Sequence, residues 1–163
     1  MGKVRLACRL GLLFMAALAV AMPLSYWYTT IYPLDRDVNV HLDYAKKLTD
    51  ARAIAYELDM AVQGLERYHG NPRWLFPTAA TDFDYIREVL RSQADMALRM
   101  AEEPCTDYAY QRYVENAVRT VGELKDNVAA AQFWLWLSPQ NVVLAVVWLA
   151  VVVALHILKW IAD

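Results

Sequence analysis

The chain has 163 residues, of which 58% are hydrophobic and 21% charged, with a mean hydropathy of +0.19 and a formal charge of -2. A soluble domain carries about 45–50% apolar residues, so the excess excludes an ordinary soluble protein. The near-zero net charge leaves nucleic acid out as an expected partner.

The apolar excess sits at the two ends and the charge in between. Residues 33–138 hold about 17 acidic against 12 basic side chains, whereas the flanking segments carry Lys3, Arg5, Arg9 and Lys159 against Asp163 alone. Cations next to apolar spans mark the cytoplasmic side. Both termini are therefore expected in the cytoplasm of an integral plasma-membrane protein, with 33–138 outside.

Residues 1–9 form a basic leader. Residues 10–32 are an apolar run of 23 residues, enough to cross a ~30 Å hydrocarbon core. Ala19-Val20-Ala21 has the small-x-small form of a signal cleavage site. Tyr26, Trp27, Tyr28, Ile31 and Tyr32 continue the run beyond it, which favours a retained span ending in an interfacial aromatic belt. Pro23 is expected to kink the span. Ala17, Ala21 and Ser25, four apart, form a small-residue face where a second helix can approach closely.

After a polar hinge at 33–37, the pattern predicts a helix over 39–68 closed by Gly70-Asn71-Pro72. In it Tyr44, Leu48, Ala51, Ala55, Leu58, Val62 and Leu65 step alternately by four and three, a heptad seam. Residues 71–81 contain the apolar knot Trp74, Leu75, Phe76. Thr81 or Asp82 caps a helix over 83–103, with Phe83, Ile86, Leu90, Ala94, Ala97 and Ala101 on its buried face. Pro104 ends it, and Thr106 caps the next helix, where Tyr110, Val114, Ala117, Val121, Leu124, Val128, Ala131 and Leu135 repeat the seam. Trp134 and Trp136 mark the return to the membrane. Ser138 caps and Pro139 starts the second span, 139–161, followed by residues 162–163.

These elements predict an all-α membrane protein: two transmembrane helices and a three-helix antiparallel bundle outside, built as a long coiled-coil hairpin plus one shorter helix. The helix over 39–68 and the helix after it both run away from the membrane. Residues 70–81 must then form an extended crossover of ~40 Å, with Trp74 and Phe76 packed on the bundle or dipping to the membrane surface.

Reactive chemistry is sparse. Glu66-x-x-His69 has the spacing of a di-iron ligand pair, but those bundles need the motif twice plus two more inward carboxylates. Met96, Met100 and Cys105 are soft donors, better explained as packing, and Tyr85, Val89, Met96 and Met100 read as a seam for another chain. Tyr108, Tyr110 and Tyr113 cluster at a helix start, where aromatic packing explains them more simply than a ligand pocket. Cys8 and Cys105 fall on opposite sides of the membrane, so Cys105 is either a free thiol or an interchain bridge.

No enzyme, metal or cofactor is expected. The leading reading is a non-enzymatic accessory or structural subunit of a membrane complex. Its expected contacts are Ala17, Ala21, Ser25, Trp74, Phe76, Val89, Met96 and Met100, together with the apolar faces left beside the seam, among them Ile54, Ala61 and Tyr68. Alternatives are a self-associating scaffold or pore, and a sensor module that signals through a partner.

The topology has a direct test. After mild reduction of intact cells, a membrane-impermeant maleimide should label the chain, and Cys105→Ser should abolish the labelling. Labelling that survives this substitution would reverse the orientation.

Overall fold

The computed structural model describes residues 2–102 and 106–162, and among them it is helical with no strand. The chain divides into two compact units: Met1–Thr29 with Leu137–Asp163, and Thr30–Trp136.

The first unit pairs two helices, α1 (Gly2–Tyr26) and α7 (Pro139–Ala162). At 1.5 Å per residue each is about 36–38 Å long, sufficient for a bilayer core. Both are long and apolar enough to cross a membrane, and almost none of their most apolar stretches is buried. α7 starts as its sequence pattern suggests. The Asn141 N–H donates to Ser138 Oγ at 3.4 Å, the Val142 N–H donates to the Ser138 carbonyl at 3.0 Å, and Pro139 takes the first turn, where its missing N–H costs nothing. The helices meet through Cys8, which is buried, and Gly11, where an added Cβ would stand 3.4 Å from Leu155. The Trp148 indole N–H donates to the Met15 carbonyl at 3.1 Å.

After α1 the backbone remains helical to Ala45 through two wide π-helical turns, Trp27–Ile31 and Asp35–Asn39, around the short helices α2 (Tyr32–Leu34) and α3 (Val40–Ala45). The expected hinge at 33–37 is therefore helical. Pro33 lies between the wide turns; it has no N–H to donate and its ring crowds the preceding turn, and π-helical insertions accommodate such a residue.

The helix expected over 39–68 is broken. α3 ends at Ala45, and α4 (Ala51–Leu65) starts afresh with Asp50 as its cap, the carboxylate accepting the Ala53 N–H at 2.9 Å. The chain reverses between them. His41 pairs with Glu57 at 2.7 Å, Gly64 lies against Asp37, and the Tyr68 hydroxyl donates to the Thr30 carbonyl at 2.6 Å, so α4 runs antiparallel to 30–45.

This reversal removes the need for a crossover. The Phe83 N–H donates to the Gly70 carbonyl at 3.0 Å, so residues 70–83 form a closed loop at one end of the unit instead of a ~40 Å strand along it. α5 (Phe83–Glu102) then runs back along α4, capped by Asp82, whose carboxylate accepts the Asp84 N–H at 2.9 Å. Pro104 and Cys105 lie outside the described residues. α6 (Asp107–Trp136) starts at Thr106, whose hydroxyl accepts the Ala109 N–H at 3.3 Å. It runs antiparallel to 35–43, with Lys125 on Asp43 at 2.6 Å and Gln132 on Asp35 at 3.0 Å. Among the described residues of this unit, four helical segments thus alternate in direction where three were expected.

Their shared core contains Leu34, Val38, Leu42, Ile54, Leu58, Leu65, Phe83, Ile86, Leu90, Val121 and Val128, all essentially inaccessible. Each large aliphatic side chain so buried contributes about 1.5–3 kcal/mol relative to exposure. The seam on α6 is buried from Ala117 to Ala131 and half-buried at its ends. On the first seam Ala51, Ala55, Leu58, Val62 and Leu65 are buried, whereas Tyr44 is exposed. Ile54, Ala61 and Tyr68, expected beside the seam as a surface for partners, are also buried. The chain's own segments close over both sides of α4.

Gly64 controls how closely α4 approaches. A Cβ there would stand 2.2 Å from the Asp37 carbonyl oxygen and 2.8 Å from its carbon, atoms that move only if the helix moves. Gly64→Ala should therefore destabilise the chain by roughly 2–3 kcal/mol. Gly122→Ala on α6 meets only the flexible Lys46 side chain at 3.7 Å and should stabilise it by about 0.5–1 kcal/mol. Thermal unfolding in detergent compares the two; equal effects would contradict this packing.

Candidate interaction surfaces

Four features could present chemistry or contacts to something outside the chain: the outer face of α1, the outer face of α5, the loop 70–82 and the end of the unit where α6 begins.

On α1, Ala17, Ala21 and Ser25 are all exposed. The internal pairing with α7 uses Cys8, which is buried, and Gly11, Met15 and Leu18, which are half-buried; Ala17 and Ala21 point to another side, whereas Ser25, seven residues after Leu18, continues the paired face and remains exposed. The Ser25 carbonyl accepts the Thr29 hydroxyl at 2.9 Å, which occupies a backbone acceptor at the entry to the first wide turn.

The apolar residues singled out on α5 divide between two roles. Val89 and Met100 are half-buried and pack against the core, whereas Met96 is 45% exposed and Tyr85 47%. The outward apolar strip is therefore narrower than the pattern Tyr85, Val89, Met96, Met100 implies. Helical spacing identifies a face but not how far a neighbouring helix wraps around it.

The loop is built from its neck outward. Beyond the Gly70–Phe83 bond, the Gly70 N–H donates to Asp84 Oδ2 at 2.8 Å. Asn71 Nδ2 donates to the Thr78 carbonyl at 2.6 Å, and the buried Thr81 hydroxyl donates to Asn71 Oδ1 at 2.9 Å. Thr81 therefore locks the loop, and Asp82 is the cap. Gly70 takes φ +66, a conformation that suits glycine at a helix exit. Outside this neck Trp74 and Leu75 are each 45% exposed and Phe76 81%. The Arg73 guanidinium lies 5.4 Å from the centre of the Trp134 ring, a cation–π distance.

Where α6 begins, Tyr110 joins two segments. Its hydroxyl accepts the Ala51 N–H at 2.8 Å and donates to the Thr49 carbonyl at 3.2 Å. Tyr113 is buried; burial pushes its phenol up to about 12, and its hydroxyl has no hydrogen-bond partner among the described residues. Tyr108 is exposed. Of the three tyrosines, Tyr110 holds segments together, and Tyr113 adds its ring to the core.

His69 and His41 each face a carboxylate. His69 Nδ1 lies 3.5 Å from Asp84, and His41 Nδ1 2.7 Å from Glu57. His69 and Asp84 are substantially exposed. Among the described residues no group of three or more His, Cys, Asp or Glu side chains is arranged to hold a metal ion. The remaining charges clip segments together. Asp37 takes Arg36 and, at 3.1 Å, Arg67, while Asp35, Asn39 and Gln132 form a small amide–carboxylate cluster. Sequence reasoning did not find these clips, because they join residues more than ninety positions apart in the case of Asp35 and Gln132.

No family model matches this chain, and no curated protein or solved structure matches it.

The clips predict an acid limit to stability. The hydrogen bond from Arg36 holds the Asp37 carboxyl below its ordinary range, and that from Lys125 does the same for Asp43. A depressed folded-state value means that the stabilisation is complete above the ordinary carboxylate range, at about pH 4, and is lost as pH falls through the folded value. Asp37→Asn with Asp43→Asn should lower the melting temperature at neutral pH and flatten its decline below about pH 4. An acid limb as steep as the parent's would remove these two groups as its cause.

Proposed function

We propose that this chain is a non-enzymatic accessory or structural subunit of a membrane protein complex. In this reading α1 and α7 span the bilayer, both termini are cytoplasmic, and residues 33–138 form a helical bundle on the outer side. The apolar exposure of α1 and α7 supports the spans, since surfaces of this extent are not left in contact with water. The distribution of Lys and Arg supports the orientation.

The observation that carries the subunit reading is the unused small-residue face. Two spans from one chain could have met across Ala17, Ala21 and Ser25, where backbones approach most closely. They meet instead through Cys8, Gly11 and Met15, leaving the other face open to a helix from elsewhere. Exposed Met96 and Tyr85 on α5 offer a second, smaller contact outside the membrane.

The test is extraction from the native membrane in mild detergent, followed by sizing and identification of what accompanies the chain. A complex with other membrane proteins is expected, and Ala17→Leu with Ala21→Leu should dissociate it without altering the melting temperature of the isolated chain. Migration as a lone monomer would defeat the proposal. A discrete oligomer formed by the purified chain alone would identify the partner as further copies of itself.

A further inference from the structure

The loop between α4 and α5, whose Trp74 and Phe76 the sequence suggests as partner contacts, has features that point to a different neighbour. Its tip presents three consecutive large apolar side chains, Trp74, Leu75 and Phe76, and among the described residues Phe76 is the most exposed large hydrophobic side chain at 81%. Phe76 also takes φ 56, the left-handed region, which is unfavourable for a bulky residue. In water such a tip combines backbone strain with apolar exposure. The neck hydrogen bonds of Gly70, Asn71 and Thr81 nevertheless hold it in place. A tip fixed in this way loses little freedom on insertion into an apolar medium.

Its position within the helical unit identifies that medium. Thr30, where the chain enters the unit, accepts the Tyr68 hydroxyl two residues before Gly70. Trp134, two residues before the chain leaves the unit, lies under the Arg73 guanidinium. The loop therefore occupies the end of the unit at which the chain enters and leaves it. Its composition fits the same surface. In a segment 33–138 that is net acidic, residues 70–81 contain no Asp or Glu and one cation, Arg73. Tryptophan with arginine at the headgroup level and Leu and Phe beyond it is the composition of an interfacial anchor.

We propose that residues 73–77 form a lipid-interface anchor: Trp74, Leu75 and Phe76 enter the headgroup–acyl boundary beside the spans, and Arg73 faces the lipid phosphates. This rests on the reading of α1 and α7 as membrane spans. The anchor adds a third attachment to the two covalent ones and fixes how the bundle base meets the bilayer.

The test uses the full chain with Cys8→Ala and Cys105→Ser, carrying one spin label at Phe76→Cys, Leu75→Cys, Val146→Cys or Tyr56→Cys. All four labelled positions are exposed, so the label disturbs no core. The proteins are reconstituted in vesicles of phosphatidylcholine and phosphatidylglycerol, and collision of the label with oxygen is compared with collision with a water-soluble nickel chelate. Val146 should favour oxygen strongly and Tyr56 should favour nickel. Labels at 75 and 76 are expected to favour oxygen several-fold more than the label at Tyr56. Nickel access at 75 and 76 equal to that at Tyr56 would overturn the anchor while leaving the spans intact. Shielding from both reagents would also overturn it, in favour of a protein contact. Nickel access at Val146 would overturn the spans themselves, and the anchor with them.

Discussion

The arrangement of the helical unit depends on the close approach of α4 to the segment before it, at the point where Gly64 meets the Asp37 backbone. No side chain larger than hydrogen fits there without moving a helix. That contact lets α4 fold back along 30–45, and the rest follows from its direction. The exit from α4 then lies beside Thr30, the loop closes at that end, α5 runs away from it, and α6 returns to it. Each pair of successive segments is antiparallel; the turn at 46–50 is short, and the longer connection between α4 and α5 is closed at its neck by the Gly70–Phe83 hydrogen bond.

The two units are packed on different physical terms. Thr30–Trp136 buries one face of each segment in a common core of branched aliphatic side chains and distributes its charges as clips between segments. The pairing of α1 with α7 buries little. It relies on small residues, a glycine contact and an indole hydrogen bond to a backbone carbonyl, while the remaining apolar side chains face outward. The first pattern resembles folding in water, where burial drives association; the second resembles association in a medium where burial gains nothing and close fit decides.

Most polar groups in the helical unit have structural tasks. Asp50, Asp82 and Thr106 cap helices, and Asn71 and Thr81 close the loop. Tyr110 pins the turn before α4, and His41 meets a carboxylate across the reversal. The surfaces left unused are apolar: a strip on α5, the outer face of α1 and the tip of the loop.

Sequence alone determined the two apolar helices, the seam on α6, the caps at Thr106 and Ser138 and the exit glycine at 70, and narrowed the cap of α5 to Thr81 or Asp82, because each is a local property of spacing or side-chain type. It did not reveal the reversal at 46–50. Tyr44, Leu48 and Ala51 keep the four–three rhythm even though the chain turns between them, and periodicity records spacing without direction. The signals that were present were the Lys46-Lys47 pair at a helix end and the capping Asp50, both weaker than the uninterrupted seam. The tertiary structure alone decided that Ile54, Ala61 and Tyr68 are covered and that residues 70–83 close as a loop instead of a crossover. Both depend on which segment lies next to which, and that rests on the contact between residues 37 and 64, too far apart in the chain for any local pattern to record.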